Sequence, residues 1–176
     1  MITIFTDGSS KGNPGPGGWG AVVAYERIKN EELRITNGEW VTELGGKEIH
    51  TTNNRMELTS CIQALQFIIH NSKFIIQPVT LYTDSEYVLK GITQWIHNWQ
   101  KKGWKTAAKK PVENQDLWQE LLKATEGKDI EWKIVRGHAG IPANERCDVI
   151  ATTFADGEKP ILYNGPRKDY RISLEV

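Results

Sequence analysis

Ile2-Thr3-Ile4-Phe5-Thr6-Asp7-Gly8-Ser9 and Val79-Thr80-Leu81-Tyr82-Thr83-Asp84-Ser85 decide the fold, because each runs from an apolar, β-branched segment into an aspartate at its carboxyl end. In the first, apolar residues stand on both faces (Ile2 and Ile4, then Phe5), which marks a central strand and not an edge. If the two strands are parallel neighbours, both carboxylates lie on one rim of the sheet, where open α/β sheets bind ligands.

Between these strands, Leu58, Cys61, Ile62, Leu65, Ile68 and Ile69 repeat at the spacing of one buried helical stripe, with Thr52 or Asn54 able to cap its start. Gly8 to Gly20 holds six glycines and two prolines and reads as a turn. Ala21-Val22-Val23-Ala24-Tyr25 reads as a second strand, and residues 26–50, with Asn37-Gly38 and Gly45-Gly46, as a third that a hairpin could split. Beyond Asp84, Tyr87 to Gln100 reads as one or two helices with a break at Gly91. Asn114 caps another helix, whose stripe is Leu117, Trp118, Leu121 and Leu122. Ile130 to Val135 alternates as a strand, and a last helix from Pro142 places Cys147, Ile150, Ala151, Phe154 and Ala155 on one face. The order predicts one α/β domain, a five-stranded mixed sheet flanked by helices, with crossover helices tying the later strands in parallel. Residues 157–176, rich in Gly and Pro, read as a tail of unassigned role that could pack through Ile161, Leu162 and Tyr163.

A chain of 176 residues with 39% hydrophobic content suffices for one sizeable core. Its 22 basic and 22 acidic residues balance, so net charge selects no partner. Lys101, Lys102, Lys105, Lys109 and Lys110 nevertheless fall within ten residues that contain no acid, a local feature that suits a polyanion. Cys61 and Cys147 match no ligand spacing and read as reduced core thiols. No basic n-region precedes an apolar run, and nothing approaches the ~20 apolar residues of a membrane span, so a cytoplasmic monomer without membrane contact is expected.

Two helical acids, Glu57 and Asp148, could join Asp7 and Asp84 at the rim. Each of the four has an ordinary explanation: strand-end aspartates serve in turns, and acids in a first helical turn complement the dipole. Converging, they would repel one another unless a cation compensated, and an oxygen-only set suits Mg²⁺ or Mn²⁺ over zinc. The glycine-rich segment is no phosphate cradle, since it lacks the Gly-Lys-Ser/Thr ending and a following helix.

The wording around these acids is more specific than the acids themselves. Asp7-Gly8-Ser9-Ser10-Lys11-Gly12-Asn13-Pro14-Gly15-Pro16-Gly17-Gly18, Thr51-Thr52-Asn53-Asn54-Arg55-Met56-Glu57-Leu58, Tyr82-Thr83-Asp84-Ser85, and Gly137-His138-Ala139-Gly140 with Asn144-Glu145-Arg146-Cys147-Asp148 resemble, in order, the motifs of type 1 ribonuclease H. Trp95-Ile96-His97-Asn98-Trp99 through Trp104-Lys105-Thr106 is similar to the bacterial form with its basic protrusion. The resemblance covers residues 1 to about 156.

It implies a ribonuclease H-like fold and an endonuclease that hydrolyses the RNA strand of RNA–DNA hybrids with two Mg²⁺ ions, Mn²⁺ being a substitute, leaving 5′-phosphate and 3′-hydroxyl ends. Asp7, Glu57, Asp84 and Asp148 would be the metal-binding acids, Asp7 bridging both ions. His138 would assist proton movement or product departure. Asn13, Asn53, Asn54 and residue 86 would face the minor groove and its 2′-hydroxyls. The family usually has Gln at that last position; here it is Glu86, which only accepts hydrogen bonds. Trp95 would lie against a deoxyribose, Lys101, Lys102 and Lys105 would grip the DNA strand, and Thr52 and Asn114 would join a pocket for a DNA phosphate. Gln100 and Glu113 replace lysines common in bacterial relatives, which weakens that grip. Two alternatives remain: an idle module that binds hybrid or double-stranded RNA without cutting it, and another nuclease of the wider superfamily, such as a transposase or junction resolvase. The first is set against all four acids being present, the second against the His138 loop and the basic protrusion.

Overall fold

A computed structural model describes residues 1–30, 35–70, 77–137 and 140–176, with side chains described outside 27–30 and 35–37. β1 (Ile2–Ser10), β2 (Gly15–Asn30) and β3 (Ile35–Thr51) lead into α1 (Asn53–His70) and β4 (Val79–Thr83). A helical run follows as α2 (Glu86–Lys90), a π-helical turn (Gly91–Trp95) and α3 (Ile96–Lys101), then α4 (Gln115–Thr125), β5 (Ile130–Ile134), α5 (Pro142–Ala155) and β6 (Asn164–Pro166). The sheet order is β5-β4-β1-β2-β3-β6. β1 pairs in parallel with β4, and β4 with β5, while β1–β2, β2–β3 and β3–β6 are antiparallel.

The alternation in β1 sets the two layers. Ile2 and Ile4 join Leu58, Cys61, Ile62 and Leu65 of α1 in the larger core, which extends to Trp118 and Leu121 of α4. Phe5 points to the other face and packs with Val22, Val41 and Cys147 of α5. Both cysteines are free and buried, and burial pushes the Cys61 thiol up to about 12, which leaves it inert.

Four expectations need correction. The glycine-rich stretch is not one long turn: β1 runs to Ser10, residues 11–14 turn, and Gly15 already opens β2. The glycines serve close approach, since a Cβ at Gly18 or Gly20 would run into the Ala151 or Cys147 carbonyl of α5. Gly91 does not break the helix; it clears the Trp118 ring, which is wholly buried beneath it, and the backbone continues through the π turn. Asn114 precedes α4 in the left-handed conformation (φ 56°) and makes no capping bond with its side chain, which is engaged elsewhere. Thr52 does cap α1, its Oγ1 accepting from the Arg55 amide at 3.4 Å. Finally, the sheet has six strands, not five, because Asn164-Gly165-Pro166 of the tail pairs with β3. The tail packs through Tyr163, Tyr170, Ile172 and Leu174, whereas Ile161 is 92% exposed.

Candidate active site

Thr6 of β1 pairs with Thr83 of β4, so Asp7 and Asp84 leave the parallel strands side by side. Gly8 lets α1 rest on β1: a Cβ there would collide with the backbone of Met56 and Glu57, and its absence brings Glu57 next to Asp7. One carboxylate oxygen from each of Asp7, Glu57 and Asp84 lies within 4.8 Å of the others. Asp7 is only 6% exposed and Glu57 5%. The Gly8 amide donates to Asp7 Oδ1 at 2.7 Å, and Asn144 Nδ2 of α5 donates to Asp84 Oδ2 at 3.3 Å. Gly137 passes so near Asp84 that a Cβ would stand 2.8 Å from Oδ2.

This crowding is costly electrostatically. Burial, then the charges of Asp84 and Asp148, push Asp7 up to about 8. Burial, then Asp7 and Asp84, raise Glu57 well above the carboxylate range. Among the described residues, Glu57 Oε2 and Asp84 Oδ1 are buried without a hydrogen-bond partner. Lone pairs left unmatched on clustered carboxylates fit a hard divalent cation, which the oxygens coordinate in place of the missing donors and whose charge offsets the repulsion. Asp148 is not among the three whose oxygens converge, but it is near enough for its charge to act on Asp7. His138 lies outside the described residues; Gly137 and Gly140 bracket it.

Asn13, exposed in the β1–β2 turn, accepts the Asn53 amide at 3.3 Å, so these two share one edge, with Asn54 half-buried beside them. Asn114 reaches the same neighbourhood through Arg55. The guanidinium donates to Asn114 Oδ1 at 3.3 Å and to both carboxylate oxygens of Asp116 at 3.0 and 2.7 Å. The fork thus ties the start of α1, with Thr52, to the start of α4. Asn114 Nδ2 donates to Tyr87 Oη at 3.1 Å, as does Trp118 Nε1 at 3.1 Å. Glu86 is exposed and paired with Lys90 at 2.5 Å, which holds its carboxyl below the usual range and compensates its charge.

Trp95 is half-buried against Tyr87 and Trp99, and Trp99 leans on Trp118. Lys101 and Lys102 end α3 in the open, and Lys105, Lys109 and Lys110 are exposed on the loop beyond it. That loop is built, with Trp104 N–H donating to Trp99 O at 2.7 Å, Val112 N–H to Trp104 O at 3.0 Å, and Val112 buried. Sequence reasoning missed Asn144, Arg55 and Tyr87 as supports. Arg55 and Asn144 stood inside quoted motifs, but nothing in a sequence says which motif residue props another.

The family model described as RNase H matches residues 1–156. Ribonuclease H of Cyanothece sp. is 52% identical over 159 residues, covering 90% of this chain and 92% of that relative. Ribonuclease H of Thermosynechococcus vestitus is 52% identical over 163 residues, covering 93% and 94% respectively. Among solved structures, LC9-RNase H1, a type 1 RNase H with the type 2 active-site motif, superposes with a TM-score of 0.75 at 36% identity, covering 93% of this chain and 76% of that one. LC11-RNase H1, solved in complex with an RNA/DNA hybrid, shares the fold with a TM-score of 0.61 at 21% identity, covering 89% of this chain and 98% of that one.

Proposed function

The chain belongs to the ribonuclease H family, and from that premise we propose that the carboxylates at the sheet rim are where it cuts the RNA strand of an RNA–DNA hybrid. It is an enzyme of that class, a metal-dependent endonuclease leaving 5′-phosphate and 3′-hydroxyl ends. The reading is carried by three acids, from β1, α1 and the residue after β4, whose oxygens lie within 4.8 Å of one another where the parallel pairing of β1 and β4 ends.

Asp7, Glu57, Asp84 and Asp148 are the proposed metal ligands, with Mg²⁺ the proposed ion and Mn²⁺ a substitute. Bound divalent ions supply a water ionised at neutral pH and charge to stabilise the departing 3′-oxygen. Asp7 and Glu57 are held by the core, so they present fixed oxygens and need little reorganisation. Asn144 orients Asp84, and His138, which follows Gly137 in the sequence, moves the proton or helps the product leave. Asn13, Asn53, Asn54 and Glu86 read the 2′-hydroxyls, Glu86 as an acceptor whose charge Lys90 offsets. Thr52 and Asn114, joined by Arg55 at two helix starts, receive a DNA phosphate. Trp95 meets a deoxyribose. The proposed catalytic residues all lie within residues 1–156, which the family model matches, and the chain acts as a cytoplasmic monomer; among the described residues no helix is long and apolar enough to cross a membrane.

A uniform RNA–DNA hybrid incubated with the protein and Mg²⁺ is expected to be cut in the RNA strand, and excess chelator to stop cutting. Binding without cleavage would instead identify an idle module. The triple variant Lys101→Ala, Lys102→Ala, Lys105→Ala is expected to raise KM severalfold with kcat within about twofold. It should also flatten the dependence of log KM on log salt by up to about 2–3, near 0.9 per lost phosphate contact. An unchanged slope would take this loop off the nucleic-acid backbone.

A further inference from the structure

Glu43 of β3 carries a carboxylate whose side chain is 1% exposed, yet it takes no part in the rim cluster. Arg146 of α5 donates to both of its oxygens, from Nε and Nη2, at 2.8 Å each. Two further donors come from the tail: the Tyr163 amide at 2.9 Å and the Tyr170 hydroxyl at 2.9 Å. Arg146 Nη2 also donates to the Ile161 carbonyl at 2.8 Å. Burial works against this carboxylate, but the Arg146, Tyr163 and Tyr170 donors outweigh it and hold Glu43 below the usual range. Three segments distant in sequence meet on one buried charge.

Arg146 lies two positions before Asp148, so the two side chains leave α5 on roughly opposite sides of its axis. Gly18, Gly20 and Gly45 admit α5 closely to the sheet, and Phe5 and Val22 pack against its Ala143 and Cys147 through apolar contacts, which carry little direction. Asp148 is near enough to Asp7 for its charge to act there, so a turn of α5 about its axis changes what it presents to the cluster. A planar guanidinium fork on a buried carboxylate is directional and resists that turn.

We infer that the Glu43–Arg146–Tyr170 node sets the rotation of α5, so that Glu43 and Tyr170 are positioning residues for Asp148 and residues 157–176 are a working part of the catalytic domain. This rests on Asp148 belonging to the metal cluster.

The test uses the full chain with Glu43→Gln and Tyr170→Phe, the latter keeping the ring and losing one hydroxyl. Mn²⁺ binding to the free protein is read by the electron-spin resonance of unbound ion, and kcat and KM are measured on hybrid. Expected are Mn²⁺ binding weakened about fivefold in Glu43→Gln and about twofold in Tyr170→Phe, with kcat down about tenfold and threefold and KM within twofold. Mn²⁺ affinity and kcat equal to wild type in Tyr170→Phe, and in Glu43→Gln if it folds, would overturn the inference even with a lowered Tm. A wild-type chain that binds Mn²⁺ but leaves hybrid intact would sink the proposed activity alone, because the comparison of Mn²⁺ affinities still stands.

Discussion

Asp7→Asn is expected to lower hybrid cleavage by on the order of 10³ or more and, with chelator present, to raise Tm. The first effect follows from losing the carboxylate that faces Glu57, Asp84 and Asp148 together. The second follows from proton linkage. Asp7 ionises near 3.8 in an unfolded chain and at about 8 in the fold, so between about pH 4 and 8 the folded state binds the extra proton. Its contribution is neutral below about pH 4, and ionisation costs stability progressively as pH rises towards 8. At pH 7 this amounts to about 1–4 kcal/mol, part of it shared with Glu57. Asparagine removes it, and at ~2–4 °C per kcal/mol for a chain of this size Tm should rise by roughly 3–10 °C. Lowering the pH towards 4, or adding Mg²⁺ that binds wild type alone, should narrow the gap. A variant less stable than wild type in chelator at pH 7 would refute the account of repulsion.

Gly20→Ala should cost much stability for a small chemical change. Its Cβ would overlap the Cys147 carbonyl and stand 2.8 Å from Ile150 Cβ, so α5 must lift. Overpacking of this kind costs about 1–3 kcal/mol or more, which lowers Tm by roughly 5–10 °C. Because α5 carries Asp148, kcat should fall as well. Gly157→Ala offers the contrast: its Cβ meets open space, so only the left-handed backbone (φ 83°) resists it. It should cost about 1 kcal/mol and leave kcat alone. Equal losses of kcat at both positions would mean that close approach of α5 is not what Gly20 provides.

Glycine shows why the sequence was legible only in part. A glycine that turns the chain and one that admits a helix look the same in a linear string, so residues 15–20 read as a turn although they form a strand. The apolar alternation of β1 and the stripe of α1 were readable because burial selects residue types directly. Asp7 and Asp84 were visible as strand ends, and their convergence followed once β1 and β4 proved parallel. β6 left no trace, since Asn164-Gly165-Pro166 has neither alternation nor β-branching and pairs only because β3 offers an edge. Glu43 was hidden among the charges of residues 26–50, where nothing local distinguishes a buried carboxylate from a solvated one. Asn114 suggested a cap, yet its amide is spent on Arg55 and Tyr87.

The placement of β1 also has a consequence for the growing chain on a ribosome. β1 lies inside the sheet, between β2, which follows at once, and β4, which is made some seventy residues later. The acids at 7, 57 and 84 precede the one at 148, which comes only with the last long helix. Nascent chains therefore hold an incomplete set of carboxylates until α5 has been made.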